Sequence, residues 1–486
     1  MTQFDKRNIS MMMDFYEMTM ANGYFVNGGE NTRVVFDVFY RRNPDNGGFA
    51  IFAGLEQIID YVENMHFDAD DVEYFRSQNV FGEDFLNYLA NFKFHGDIYA
   101  FPEGTIIYPN EPFLTVIADL IDAQLVETAI LSQINHQSLI ATKARRIVRA
   151  ADGRFVSDFG ARRAHNMDAA TYGARAAFIG GVGGTATVSA GKMFGIPVNG
   201  TMAHSWVMYF QNEFEAFKKY AEVYPNSAVF LIDTYDVIHS GVPNAIRVAK
   251  EILEPAGTRL RGVRIDSGDL AYLSKRVRKM LDEAGLQDCK IIVSNSLDEF
   301  TITSLLNQGA AIDSFGVGER LITAKSEPVF GAVYKLVAVE ENGIFQPRIK
   351  ISENVEKITN PALKSVYRIY DEGGHAVADL IALADENVDL STPLRYIDPV
   401  KPWKQRTFSN CTAKNLLKLF VKDGRRVEQL PKLHEISDYV KRQLQNEIWE
   451  EEQRFENPHH HYLDMTPNYY ELKMNLIYHT RNKLNS

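Results

Sequence analysis

Val263-Arg264-Ile265-Asp266-Ser267-Gly268-Asp269 is a short run with apolar residues on either side of one arginine. A polar, glycine-bearing turn closes it, and Asp269 to Ala284 then has helical character. A strand that stops at a polar turn and hands over to a helix is the building unit of a parallel α/β structure. The pattern recurs outward in both directions. Upstream, Arg154–Ser157 precedes Asp158-Phe159-Gly160, and Ala176–Ile179 precedes Gly180-Gly181. Ile196–Asn199 precedes Gly200-Thr201, and Ala228–Ile232 precedes Asp233-Thr234. Downstream, Ile291–Val293 precedes Ser294-Asn295-Ser296, and Ile312–Phe315 precedes Gly316-Val317-Gly318. Helical segments are expected between them at Thr185 to Phe194, Asn244 to Leu253 and Leu297 to Gln308. Seven consecutive units favour a barrel, with an open parallel sheet as the alternative. In a barrel the polar strand ends converge on one mouth, where catalytic groups sit. In the plainer reading each turn is an ordinary connecting loop, polar because it is exposed.

Further out the rhythm changes. Residues 1–118 mix a helix over Met11 to Tyr24, a strand over Val34 to Tyr40, a helix over Leu55 to Asn64, and strands from Asp97 to Ala118 broken by prolines. Apolar residues near a 3.6-residue period, from Val126 to Val148, predict a long helix that ends before Asp152-Gly153. After Leu336 hairpins are expected, with turns at Glu341-Asn342-Gly343 and Glu372-Gly373-Gly374. The predicted domains are therefore 1–118, completed by strands from about 336–385; a barrel over 119–335; and a C-terminal extension over 386–486. Adjacent side chains on a strand point in opposite directions, so His459-His460-His461 does not read as a metal site and is expected at the surface.

Hydrophobic residues make up 45% of the 486-residue chain and charged residues 24%, an ordinary globular balance. The net charge of −11 disfavours nonspecific nucleic-acid binding, although a local cluster of arginines and N–H groups can still hold a phosphate. No stretch of about 18 apolar residues suggests a membrane span. Cys289 and Cys411 are far apart, and the first residues carry no secretory pattern, so a cytoplasmic setting is expected.

Several turns carry groups suited to an anion and a flat ring. Arg162 and Arg163 follow Phe159-Gly160-Ala161 and can grip a phosphate or carboxylate by forked hydrogen bonds, or form salt bridges within a loop. Gly180-Gly181-Val182-Gly183-Gly184-Thr185 is expected to open a helix and offer N–H groups, though tight packing accounts for the glycines equally well. His204 follows a strand end at Gly200-Thr201-Met202-Ala203; it suits acid, base or nucleophilic work, or a structural role. Strand alternation puts Arg264 and Asp266 on one side, which is costly in an apolar core unless a ligand or partner is there. Asp266 can accept from ribose hydroxyls or hold Mg²⁺ through water. Ser267 and Gly268 can present N–H groups, and Gly316-Val317-Gly318-Glu319-Arg320 has the pattern of an anion nest.

In this order the motifs resemble those of the bacterial nicotinate phosphoribosyltransferase family. The resemblance runs from Met13-Asp14-Phe15-Tyr16-Glu17-Met18-Thr19-Met20 through Phe159-Gly160-Ala161-Arg162-Arg163 and Gly200-Thr201-Met202-Ala203-His204-Ser205. It continues through Arg264-Ile265-Asp266-Ser267-Gly268-Asp269 to Phe315-Gly316-Val317-Gly318. It implies a type II phosphoribosyltransferase fold, an irregular seven-stranded α/β barrel with an open-faced α+β domain. It also implies a homodimer with shared active sites, and the substrates nicotinate, phosphoribosyl pyrophosphate and ATP, with Mg²⁺. By the same resemblance Tyr16, from the neighbouring subunit, and Phe159 would stack on the pyridine ring. Thr201 and Arg264 would lie at nicotinate, with Arg264 facing its carboxylate. Arg162, Arg163, Asp266, Ser267, Gly268, Gly316, Gly318 and the Glu319 N–H would hold phosphoribosyl pyrophosphate, Asp266 also as a catalytic residue, and Thr185 would bind substrate. His204 matches the histidine that the family phosphorylates with ATP. Ala186 stands where the nicotinamide-using relative holds an aspartate, which favours the acid over the amide. Three positions depart from the family pattern: Glu319 where threonine is usual, Ser296 where an acid is expected, and Ala362 where glycine is frequent. The alternatives are a nicotinamide or quinolinate phosphoribosyltransferase, or a non-catalytic paralogue that binds rather than turns over.

Overall fold

A computed structural model describes residues 7–352, 357–388, 394–399 and 401–484. The chain divides into two compact units, one of residues 140–328 and the other of 1–139 with 329–486.

In the unit of residues 140–328, runs of β-branched and aromatic residues form six parallel strands. Their spatial order is Gly184–Thr185, Phe155–Asp158, Ser314–Val317, Lys290–Ser294, Gly262–Ile265 and Val229–Leu231. The last strand in sequence pairs with the first, Phe315 opposite Val156 and Val317 opposite Asp158. An open sheet has no reason to bring those two together; a ring does. Val198 adds a parallel bridge to Thr185, a seventh position in the series. The structure is thus an irregular α/β barrel. Val263, Ile265, Ile291, Val293, Phe315 and Val317 share one face of these strands and have no exposed surface, whereas Arg264 and Ile292 on the opposite face are only partly buried.

Two sequence expectations need correction. Ala176–Ile179 is the last turn of the helix Met167–Ile179, not a strand. Four apolar residues carry no period, and the alanines around them favour a helix. The glycine turn therefore leaves a helix and enters strand Gly184–Thr185, while the next helix begins only at Val188. Its glycines serve packing: a Cβ on Gly180 would lie 2.3 Å from the Ala141 carbonyl oxygen. Ile196–Asn199 contributes the single bridge at Val198 rather than a full strand.

Acidic caps fix where the helices start. The Asp269 side chain accepts from Tyr272 N at the head of Leu270–Glu283, and Asp298 accepts from Thr301 N at the head of Glu299–Asn307. Glu299, fully buried, accepts from Lys143 Nζ at 2.8 Å and from Arg146 Nε at 2.7 Å, which ties that second helix to the long helix Glu127–Ala150.

The other unit holds a seven-stranded antiparallel sheet in which Val333–Glu341 and Leu114–Asp119 flank Arg33–Phe39, Ile344–Pro347 pairs with the far edge of Val333–Glu341, and Lys418–Lys422 pairs with Asp97–Ala100. A second, six-stranded sheet joins Lys364–Tyr370 and Ala376–Leu383 to later strands, including Leu463–Met465. Residues beyond 386 thus complete sheets begun earlier in the chain. The expected helix at Met11 begins later, at Phe15, where Asp14 caps it; Tyr16 lies on it, 45% exposed. Ala362 adopts φ +72°, the conformation that glycine favours. Residues 353–356, just before Lys357 in the loop expected to differ from the family, lie outside the described residues.

The His461 side chain is buried, contrary to the surface expectation for the triplet. Its ring stacks on Tyr108 at 3.8 Å, and its nitrogens face Glu452 at 3.2 Å and Asp379 at 3.5 Å. Asp379 also takes a two-pronged ion pair from the buried Arg368 at 2.7 and 2.8 Å. No helix among the described residues is long and apolar enough to cross a membrane.

Candidate functional site

Alternation along Gly262–Ile265 does send Arg264 and the following Asp266 to one side, and the tips of the neighbouring strands meet them there. Arg264 donates to Thr201 Oγ1 at 2.7 Å and to the Met202 carbonyl at 3.0 Å. Its guanidinium carbon lies 5.9 Å from the centre of the Phe159 ring. Its Nε is buried with no hydrogen-bond partner. Burial pushes the Arg264 pKa down while Asp266 and Asp233 pull it back up. A buried planar cation with an unused donor beside an aromatic face suits a flat carboxylate.

His204 opens the short helix His204–Tyr209. Its Nδ1 is 3.1 Å from Thr234 Oγ1, and its Nε2 is 3.9 Å from Asp233 Oδ1 and 4.0 Å from Asp266 Oδ2. Asp233 Oδ2 accepts from Asp266 N at 3.0 Å and from Ser267 Oγ at 2.6 Å. Asp266 Oδ1 accepts from Ser294 Oγ. Asp233 Oδ1 is buried and makes no hydrogen bond. An orphaned carboxylate oxygen near a second carboxylate fits a hard cation such as Mg²⁺, which uses one or two protein carboxylates and leaves its other positions to phosphates and water.

The Phe159 turn is braced from below. Asp158 Oδ2 accepts from Thr185 Oγ1 at 2.7 Å, and Oδ1 accepts from Gly160 N at 2.8 Å. Burial pushes the Asp158 carboxyl up, and these two hydrogen bonds oppose the shift. Thr185 itself is buried and its hydroxyl also accepts from Thr187 N, so it acts as a strut. Gly316 makes room for the ring: a Cβ there would lie 2.4 Å from Phe159 carbons. Gly318 passes close to the same turn, 3.1 Å from the Phe159 carbonyl oxygen by the same measure. Arg162 and Arg163 lie exposed on the turn Ala161–Arg163 that follows. Glu319 is drawn to Lys325 at 2.6 Å, and Arg320 pairs with Asp298. Lys325 foremost, then Arg163 and Arg320, hold the Glu319 carboxyl below its ordinary range. Glu319 thus sits among cations, where it does not confront a phosphate alone. Gly268, at φ +82°, ends the Asp266-Ser267 turn, and Ala186 is exposed just past the strut.

Residues 11–135 match the nicotinate phosphoribosyltransferase N-terminal domain, 155–380 the nicotinate phosphoribosyltransferase family, and 363–473 the C-terminal domain. The chain is 46% identical to nicotinate phosphoribosyltransferase of Bacillus subtilis over 484 residues, 99% of this chain and 98% of that one. The chain belongs to the nicotinate phosphoribosyltransferase family. The Caenorhabditis elegans member is 35% identical over 92% of this chain and 90% of its own. The crystal structure of human nicotinic acid phosphoribosyltransferase superposes with a TM-score of 0.86 at 28% identity, covering 96% of this chain and all of that one. Nicotinate-nucleotide pyrophosphorylase from Pyrococcus furiosus gives 0.70 at 26% identity, covering 92% and 97%.

Within this nicotinate phosphoribosyltransferase barrel, Phe159, Thr201, His204, Arg264, Asp266 and Ser267 are joined by direct contacts or by shared neighbours. Tyr16 belongs to the other compact unit. The sequence reading did not single out Asp158, Asp233, Thr234 or Ser294. Each is the last residue of an apolar run or stands within two residues of its end, and that position was the available signal.

Proposed function

We propose that this protein joins the ring nitrogen of nicotinate to C1 of phosphoribosyl pyrophosphate, releasing pyrophosphate, and couples this first step of NAD salvage to ATP hydrolysis through a phosphorylated His204. Membership of the nicotinate phosphoribosyltransferase family supports the transfer reaction. One observation carries the choice of site. Arg264 keeps an unsatisfied buried donor beside Phe159, while His204 faces two carboxylates on the adjacent tips.

The chemistry asks mainly for alignment. As pyrophosphate leaves, positive charge builds at C1 and negative charge on the departing oxygens, which Arg162 and Arg163 are suited to meet. Ser267, Gly268 and the Gly316–Gly318 turn would present N–H groups to the phosphates. Arg264 and Thr201 would hold the nicotinate carboxylate, with Phe159 against the ring, so that the nitrogen lone pair points at C1 and needs no general base. Asp233 and Asp266 would hold Mg²⁺, which when bound supplies charge to stabilise the leaving pyrophosphate. In the coupled step an imidazole nitrogen of His204 attacks the γ-phosphorus of ATP and ADP departs; water later takes the phosphoryl group. A homodimer in which Tyr16 reaches a neighbouring site, and a cytoplasmic setting, complete the proposal.

Ala186 offers no carboxylate to an amide, and the Glu319 side chain is engaged by Lys325. The first favours nicotinate over nicotinamide, and the second removes the main support for a non-catalytic paralogue. Turnover with each pyridine, with and without ATP, tests the assignment. Nicotinate should be used and ATP should stimulate it; activity on the amide alone would overturn the substrate, and none on either would favour a binding role.

A further inference from the structure

Asp233 and Asp266 present the same arrangement to His204. Each has two carboxylate oxygens, and each has one tied down. Asp233 Oδ2 is held by the Asp266 N–H and the Ser267 hydroxyl. Asp266 Oδ1 is held by the Ser294 hydroxyl. The oxygens left over are the two that face Nε2, at 3.9 and 4.0 Å. The Nδ1 side is engaged by Thr234, so the ring is fixed from its other edge.

The two anchors differ in how firmly they are built. Ser267 is exposed on the turn after its strand. Ser294 is 5% exposed and is the last residue of strand Lys290–Ser294, in register beside Gly262–Ile265. The chain turns sharply after it: Asn295 and Ser296 take φ +96° and +50°, conformations that non-glycine residues rarely adopt. Strong restraints follow at once. Asp298 pairs with Arg320, and the buried Glu299 is gripped by Lys143 and Arg146. A strained turn persists only where its surroundings over-determine it. Here they aim one buried hydroxyl at one oxygen of Asp266.

We propose that Ser294 is a positioning residue for phosphoryl transfer to His204: its hydroxyl fixes the Asp266 carboxylate so that the free oxygen stays on Nε2. Without it the carboxylate can turn about its side-chain torsions, and the His204 ring loses one of the two charges that orient it. The role rests on His204 being the phosphorylated residue.

The test measures phosphoenzyme formation from ATP in a single turnover of the full-length protein, for wild type, Ser294→Ala, Asp266→Asn, the double variant and His204→Ala. Ser294→Ala should form phosphoenzyme about 10- to 100-fold more slowly at saturating ATP, the range seen when a partner that orients a metal-holding carboxylate or histidine is removed. In the Asp266→Asn background the same change should cost less than about twofold, because its target is already altered. His204→Ala should form none. A wild-type rate in Ser294→Ala, or an equal loss in both backgrounds, overturns the positioning role while leaving His204 in place. Phosphoenzyme surviving in His204→Ala overturns the His204 assignment and the Ser294 role with it.

Discussion

Arg264 shows how much of the site one side chain can carry. Two of its nitrogens are spent on Thr201 and Met202, and its buried Nε is left over. A hydrogen bond between charged partners contributes about 1.5–3 kcal/mol, so Arg264→Ala should lower kcat/KM for nicotinate by roughly 10- to 150-fold. ATP hydrolysis without nicotinate should change much less. Steady-state kinetics with each substrate varied in turn checks this, and parallel losses would indicate misfolding. Arg264 and Asp266 were legible in the sequence because alternation along a strand is a local property. Asp233 and Ser294 were not, since their importance lies in which strands are neighbours. Gly262–Ile265 stands between Val229–Leu231 and Lys290–Ser294, and that order follows from packing. The partner of Glu319 was hidden for a similar reason: Arg320 is next to it in sequence, but Arg320 is taken by Asp298, and Lys325 reaches back from a turn beyond.

At the level of elements, the recurring strand, turn and helix was readable wherever a segment was long enough to show a period. Leu270–Glu283 and Glu299–Asn307 lie where their patterns put them. Ala176–Ile179 was too short to reveal that it belongs to a helix whose start, capped by Asn166, lies well upstream. Ala362 gives a prediction here. The hairpin after Pro361 keeps a left-handed residue, its N–H bonded to the Val337 carbonyl at 2.9 Å, although the side chain is not glycine. A left-handed alanine costs about 1–2 kcal/mol, partly offset by the greater freedom glycine has when unfolded. Ala362→Gly should therefore stabilise the protein by about 0.5–1 kcal/mol, seen as a higher urea midpoint at unchanged slope; a lower midpoint would contradict it.

For the whole molecule the telling feature is the buried charge network of the unit built from residues 1–139 and 329–486. Tyr108 and Glu111 come from the first part of the chain, Arg368 and Asp379 from the middle hairpin, Glu452 and His461 from the last part. Burial raises the Glu111 carboxyl and Asp379 raises it further. Burial alone would lower the His461 imidazole, but Asp379 and Glu452 prevail and raise it. A folded-state pKa above that of a free imidazole, about 6.5, means folding binds the proton more tightly. The stabilisation is complete below about 6.5 and drains away as pH climbs through the raised value. Urea midpoints should accordingly fall as pH rises above about 6.5 in the wild type and change less in His461→Gln; equal slopes would refute the linkage. Nothing in His459-His460-His461 announced this, because the acids that bury the third histidine lie 9 and 82 positions away. The nesting of the units carries a last consequence. Residues 140–328 are contiguous, whereas Arg33–Phe39 has one sheet neighbour in Val333–Glu341 and Lys418–Lys422 closes against Asp97–Ala100. On the ribosome the barrel has all its strands while nearly a third of the chain is still to be made. Arg33–Phe39, Leu114–Asp119 and Asp97–Ala100 can pair early, but the two outer edges of that trio stay open until Val333–Glu341 and then Lys418–Lys422 emerge, and unpaired strand edges invite misassociation in that interval.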